Sequence, residues 1–225
     1  MKSCSDKAKL PYDGAMVAAT EVQSVEARPR ARIWMALAAL AALALAAGTL
    51  AALGTGKTGL EAALRLTARL GFLLFWPSYA ASALASLFGA RWRPLGRYAR
   101  VLGMTFAAVL AVHLSLVAWF LLQGAALPRS TFVIFGAGAI CAYTLLLISI
   151  DPVRRAMSMP AWRMIQTIGT NYILFAFAYD FLRPQPLSAA SFLVLYLPFD
   201  ILIALGPALR LLAWMKKRSA AAGPR

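Results

Sequence analysis

A chain of 225 residues that is 61% hydrophobic and only 14% charged carries more apolar surface than a single water-soluble core of its size buries. That excludes an ordinary soluble domain and points to a membrane protein. The net charge of +15 does not make it a nucleic-acid binder, because the basic residues sit between apolar runs and form no folded surface with reading elements.

Residues 1–31 mix charges and small residues with Pro11 and Pro29, and read as a flexible cytoplasmic tail. The first apolar run, Ile33 to Leu53, is too long for the core of a signal peptide and follows that polar tail, so it reads as an uncleaved span. Five further runs approach the roughly 20 apolar residues that a helix needs to cross about 30 Å of hydrocarbon. They are Leu66 to Phe88, Val101 to Leu122, Phe132 to Ile150, Met164 to Leu182 and Ser191 to Trp214. None alternates as a lipid-facing barrel strand would. The expected fold is therefore all-α, a polytopic membrane protein with six transmembrane helices over residues 32–214, followed by a basic cytoplasmic tail, 215–225.

Between the first two spans, Gly54-Thr55-Gly56-Lys57-Thr58 ends like a phosphate-binding loop. The full pattern needs a glycine at position 51, which is Ala51, so a flexible turn is expected instead. At the outer end of the second span, Arg65 and Arg69 are expected to snorkel to the interface with Glu61 nearby. The third span carries His113, the single histidine of the chain. An ionisable residue inside a membrane is a functional-site hypothesis by default, because imidazole in hydrocarbon needs a partner, a proton or a metal.

The rows Gly103, Ala107, Ala111 and Gly138, Ala142 have the four-residue spacing of helix-packing surfaces. Cys4 in a reducing tail and Cys141 in mid-helix make no disulfide framework. In the sixth span Asp200 follows Pro198 by two residues, where a bend can form. A carboxylate there is either a proton relay or substrate site, or a buried acid that is paired with an arginine or held neutral.

Charge sets the expected topology. Eighteen of the 23 Lys and Arg residues fall before the first span, in the connections after the second and fourth spans, and at the C-terminal end, Arg210 counted with the last group; the opposite connections and nearby helix ends hold only Lys57, Arg65, Arg69, Arg129 and Arg183. By the positive-inside rule both termini lie in the cytoplasm, as an even number of spans requires. This places the chain in a cell membrane, of the bacterial inner-membrane kind, with anionic lipid as a partner of the basic ends.

The run Arg97-Tyr98-Ala99-Arg100-Val101-Leu102-Gly103, with His113 ten positions beyond Gly103 and Leu114-Ser115-Leu116 after it, resembles the third helix of the ferric-reductase-like transmembrane family. That family includes the haem-carrying membrane subunit of the bacterial methionine sulfoxide reductase system. Thr58-Gly59, Ala63-Leu64-Arg65 and Trp76-Pro77 look like its second helix. Ser149, Arg154-Arg155 and Trp162-Arg163 resemble the link between its fourth and fifth helices. The likeness runs from about Thr58 to Leu182. It implies haem b and an oxidoreductase component that passes electrons across the membrane. The donor would be a separate flavoprotein or quinone, since the chain holds no flavin or nicotinamide domain of its own, and the acceptor an extracytoplasmic protein.

Two family ligand positions depart from the pattern. The family usually has histidine four residues beyond the Trp of the fifth helix and again thirteen positions later; here those places hold Gln166 and Tyr179. A membrane b-type haem is normally held between two imidazoles, which one histidine cannot provide. At 1.5 Å per residue, His113 lies about 20 Å along its helix from Arg100 and Tyr179 about 24 Å from Arg163, so the two are roughly level. A phenolate can ligate haem, so a His113 and Tyr179 site is one reading. Tyr179 as an interfacial aromatic, or as a hydrogen-bond partner of His113, is the other. Gln166 is a poor iron ligand and is expected to make an interhelical hydrogen bond alongside Asn171. The alternative function is a haem-free relative acting as a structural, assembly or small-solute transport subunit.

Overall fold

The computed structural model describes residues 12–183 and 195–221, which contain helices and short turns and no strand. Helix α1 is Tyr12–Leu53 and α2 is Lys57–Phe88. A 3-10 turn, Gly89–Trp92, leads into α3, Arg93–Leu122. Then come α4, Arg129–Ile148; the short α5, Asp151–Ala156; α6, Met159–Phe181; and α7, Leu197–Ala221. Cys4, the start of the expected sixth span at Ser191, and Arg225 lie outside the described residues.

The helix ends follow local chemistry. Prolines stand in the first turn of α3, α5 and α6, where a missing N–H costs no hydrogen bond. Ser158 caps α6 by accepting from the Ala161 N–H at 3.4 Å. Gly89, at φ 77°, ends α2 in a backbone region that side chains disfavour.

Two boundaries differ from the sequence expectation. Helix begins at Tyr12, so much of the expected flexible tail is helical; residues 15–28 hold no Gly or Pro and are rich in Ala, Val and Glu, so nothing local stops a helix there. Helix α2 begins nine residues before Leu66. Its first turns hold charged residues that hydropathy alone rejects, yet Glu61 sits between Lys57 at 4.0 Å and Arg65 at 3.7 Å, pairs that helical spacing creates. Gly59, Leu60 and Ala63 of the same turns are buried.

Among the described residues four helical stretches are long and apolar enough to cross a membrane: Ala31–Leu53, Lys57–Leu122, Arg129–Ile148 and Leu197–Ala220. The second is folded back on itself as the antiparallel pair α2 and α3. Thr55 lies against Gln123, Thr67 against His113 and Ser78 against Ala99, in reverse order along the two helices. Helix α6, at 23 residues, is also long enough but less apolar, because it carries Gln166, Thr167, Thr170, Asn171 and Asp180. Large apolar side chains are exposed around the bundle, among them Leu122 at 87%, Ile140 at 69% and Leu40 at 61%. Such a surface suits lipid rather than water.

Helix α2 is the central element, packed against α1, α3 and α7. Its turn from α1 is tight. A Cβ on Gly59 would come 1.8 Å from the Gly54 carbonyl oxygen, so only glycine fits there. Gly54 itself adopts φ 83°. The turn residues Gly54 to Thr58 are exposed, and the close approach is confined to Gly59. Deeper in the bundle, Phe72, Phe75 and Tyr79 of α2 meet Phe106 of α3, Phe177 and Phe181 of α6, and Phe199 of α7. Phe72 lies edge-on to Phe177 and Phe181 at 5.0 and 5.4 Å, the favoured geometry of ring quadrupoles.

Helix α7 runs parallel to α2. Trp76, Tyr79 and Ser86 meet Leu202, Arg210 and Lys216 in the same order. Helix α6 runs antiparallel to α4, with Tyr172 against Ile134 and Arg183 against Thr131. This arrangement brings the start of α3, the end of α4, α5, the start of α6 and the second half of α7 to one end of the bundle. That end carries most of the basic side chains.

Candidate functional site

His113 is half-buried on α3, and its Nδ1 lies 2.9 Å from Thr67 Oγ1 on α2. Thr67 is completely buried, and its hydroxyl also sits 2.9 Å from the Ala63 carbonyl one turn back. A hydroxyl has one proton to give. With that proton on the carbonyl, Nδ1–H of His113 is the donor to Thr67, and the imidazole also hydrogen-bonds to the Leu64 backbone. The side-chain partner of the half-buried imidazole is thus a threonine that hydropathy does not single out, eleven residues into α2.

Tyr179 and Gln166 are placed elsewhere. Tyr179 lies near the far end of α6 with Arg183 over its ring at 4.0 Å, Phe135 of α4 at 6.1 Å, and hydrogen bonds with Ser130 and Arg183. Those are the surroundings of an interfacial aromatic. It shares no partner with His113. Gln166 is exposed and lines a cleft at the opposite end of α6. Asn171, its expected companion, does bridge helices: it accepts from Tyr79 Oη at 2.8 Å and donates to the Thr167 carbonyl at 2.9 Å.

The cleft has a volume of about 250 Å³ and lies at the basic end, between α2, α3, α4, α5, α6 and α7. Arg100 and Arg154 stand at its mouth and Arg210 on its inner wall. Arg100 is neutralised by Asp151 at 2.8 Å and also donates to the Ser149 carbonyl. Arg154 rests over the Trp162 ring at 5.3 Å. Arg210 lies 3.7 Å over the Tyr79 ring, donating from Nε to the Tyr79 carbonyl at 3.2 Å and from Nη1 to Thr170 Oγ1 at 3.4 Å. Among the described residues no carboxylate lies within salt-bridge distance of it. Trp162 Nε1 is buried with no acceptor. Gly206 makes room for this wall, because a Cβ there would come 3.1 Å from the Tyr79 ring.

No protein-family model, curated protein or solved structure matches the chain.

Sequence reasoning had counted Arg210 among the basic residues of the C-terminal end. Its position one turn and a half before Lys216, inside an apolar stretch, was the available signal. Asp180, which faces Arg183, Arg69 and Arg65, was likewise passed over. Arg69 does not simply reach for the interface; it lies over the rings of Tyr196 and Phe199 at 5.0 and 5.6 Å. Asp200 has a buried Oδ1 with no hydrogen-bond partner, and no ion pair among the described residues.

A haem with two axial ligands does not fit the residues described for one chain. The contacts of the three side chains do not join them: His113 bonds to Thr67, Tyr179 to Ser130 and Arg183, and Gln166 lines the cleft at the other end of α6. What the arrangement can do chemically lies at the cleft: present cationic and N–H donor groups to an acceptor-rich ligand.

Proposed function

We propose that the chain is a haem-free membrane subunit of six crossings, with both termini in the cytoplasm, whose working site is the arginine-bearing cleft at its cytoplasmic end. The observation that carries this is Arg210: a guanidinium inside the bundle with no carboxylate counter-ion among the described residues, facing a cleft that also holds a buried indole N–H without an acceptor. An unpaired charge within a membrane bundle is costly and marks a ligand path or site. On this reading the likeness to ferric-reductase-like helices is one of sequence pattern alone, with Gln166 and Tyr179 at positions where that family carries histidine.

A second reading keeps the electron-transfer role. It is favoured by the imidazole of His113 inside the bundle, whose Nδ1 is held by Thr67 as the second nitrogen of a metal-bound imidazole usually is. In that case the opposite ligand comes from another subunit.

The absorption spectrum of the full chain, purified from haem-replete cells, separates the two readings. The first expects no Soret band. A stoichiometric Soret band that disappears in His113→Ala would establish the second.

A further inference from the structure

The cleft has a recognisable chemistry. Arg210 carries five N–H donors, and its contacts to the Tyr79 carbonyl, the Tyr79 side chain and Thr170 use three of them. Trp162 adds a buried N–H with nothing to donate to. Buried donors without acceptors are rare in folded proteins, and each one left so costs free energy that a bound acceptor recovers. Around these lie the side chains of Ser149, Gln166 and Thr170, which can orient a ligand. Asp151 is already engaged by Arg100 at the mouth, so the interior charge of Arg210 is not cancelled by it.

The volume of about 250 Å³ falls just under the roughly 300–1,000 Å³ of sites for drug-sized molecules. It suits a compact anion or a headgroup, with the rest of a larger molecule lying outside. A planar fork of N–H donors beside a further N–H matches the tetrahedral oxygens of a phosphate better than a single carboxylate, which two donors already satisfy. The cleft also sits where basic pockets between membrane helices meet the headgroups of the anionic leaflet.

We propose that the cleft bounded by Arg154, Arg210 and Trp162 binds a phosphate group, carried either by an anionic phospholipid or by a small water-soluble phosphate compound. This deepens the cleft reading of the preceding section and rests on it, but it stands or falls separately from the absence of haem. Arg210 is the interior cation, Trp162 Nε1–H the directional donor, and Arg154 the steering charge at the mouth.

The test uses the full chain, delipidated in a neutral detergent, with binding followed by native mass spectrometry and by the shift in melting temperature. The probes are phosphatidylglycerol, phosphatidylcholine, and inorganic phosphate together with glycerol 3-phosphate. Saturable binding of phosphatidylglycerol but not phosphatidylcholine, with no effect of the soluble phosphates, identifies the lipid source. Saturable binding of the soluble phosphates identifies the other. In either case Arg210→Gln should weaken binding about tenfold or more, as loss of one charge-assisted hydrogen bond does. Should Arg210→Gln fail to fold, Trp162→Phe keeps the ring under Arg154, removes only the N–H, and should weaken binding roughly threefold. Equal binding of phosphatidylglycerol and phosphatidylcholine with no response to soluble phosphate would overturn the proposal. So would phosphate binding that both variants leave unchanged. A Soret band in the same sample would overturn the haem-free reading without touching this one.

Discussion

The hydrogen bond between His113 and Thr67 joins the third helix to the second and partners a polar ring inside the bundle. Thr67→Val keeps the shape of the side chain but leaves Nδ1 of a half-buried imidazole without its partner. Interhelical hydrogen bonds in membrane bundles are worth about 0.6 kcal/mol on average and up to about 1.7. Thr67→Val should therefore lower stability by about 1 kcal/mol, while Thr67→Ser should remain close to wild type. Reversible unfolding in mixed micelles reads the difference, and a Thr67→Val chain as stable as wild type would remove the hydrogen bond from the account. Asp200 is the opposite case. Its Oδ1 is buried and has no hydrogen-bond partner, so Asp200→Asn should keep or raise stability in the same assay. A clear loss would mean that the carboxylate is held by a cation.

Most of this chemistry was legible in the sequence as residue type and not as partnership. A lone histidine in an apolar run announces that something must satisfy it. Which residue does so depends on helix register, and register is fixed by the packing of α2 on α3, which no local pattern encodes. Thr67 is one of many threonines that can bond to their own helix, and nothing in its neighbours distinguishes it. Arg210 was hidden for a related reason. Hydropathy and the positive-inside rule count a basic residue near a helix end as a topology signal, and only the placement of α7 against Tyr79 turns it inward.

At the scale of elements, the apolar helices were found from length and hydropathy alone, and their ends shifted where charged side chains compensate one another, as in the first turns of α2. The short α5 went unseen, because six residues give too little periodicity to detect. The small-residue rows were read in part. Gly138 and Ala142 are buried, and a Cβ on Gly138 would touch that of Ala176 at 3.4 Å, but Ala111 is exposed and takes no part. The turn between α1 and α2 makes a firm prediction. Because a Cβ on Gly59 meets a backbone oxygen at 1.8 Å, Gly59→Ala must displace the turn itself, and should cost about 1–3 kcal/mol of stability. Gly56→Ala, with nothing within 4 Å of the added Cβ, is the matched control and should be nearly neutral. Equal stability of the two variants in the same unfolding assay would mean that the turn is looser than described.

For the whole molecule, helix direction and charge distribution point the same way. The connection after α2, the α4–α6 link and the end of α7 lie together, and they hold Arg91, Arg93, Arg97, Arg100, Arg154, Arg155, Lys216, Lys217 and Arg218. The account makes this the cytoplasmic end, with the cleft opening there. The decisive measurement is the side from which the cleft mouth can be reached. Ser149→Cys, in a chain whose own cysteines are replaced by serine, should react with a membrane-impermeant maleimide in inside-out vesicles and stay unlabelled in intact cells. The reaction should slow when Arg154 at the mouth is changed to Glu, as an anionic reagent loses its attraction to the cleft. Labelling of Ser149→Cys in intact cells, with protection in inside-out vesicles, would place the cleft on the other face and contradict the account.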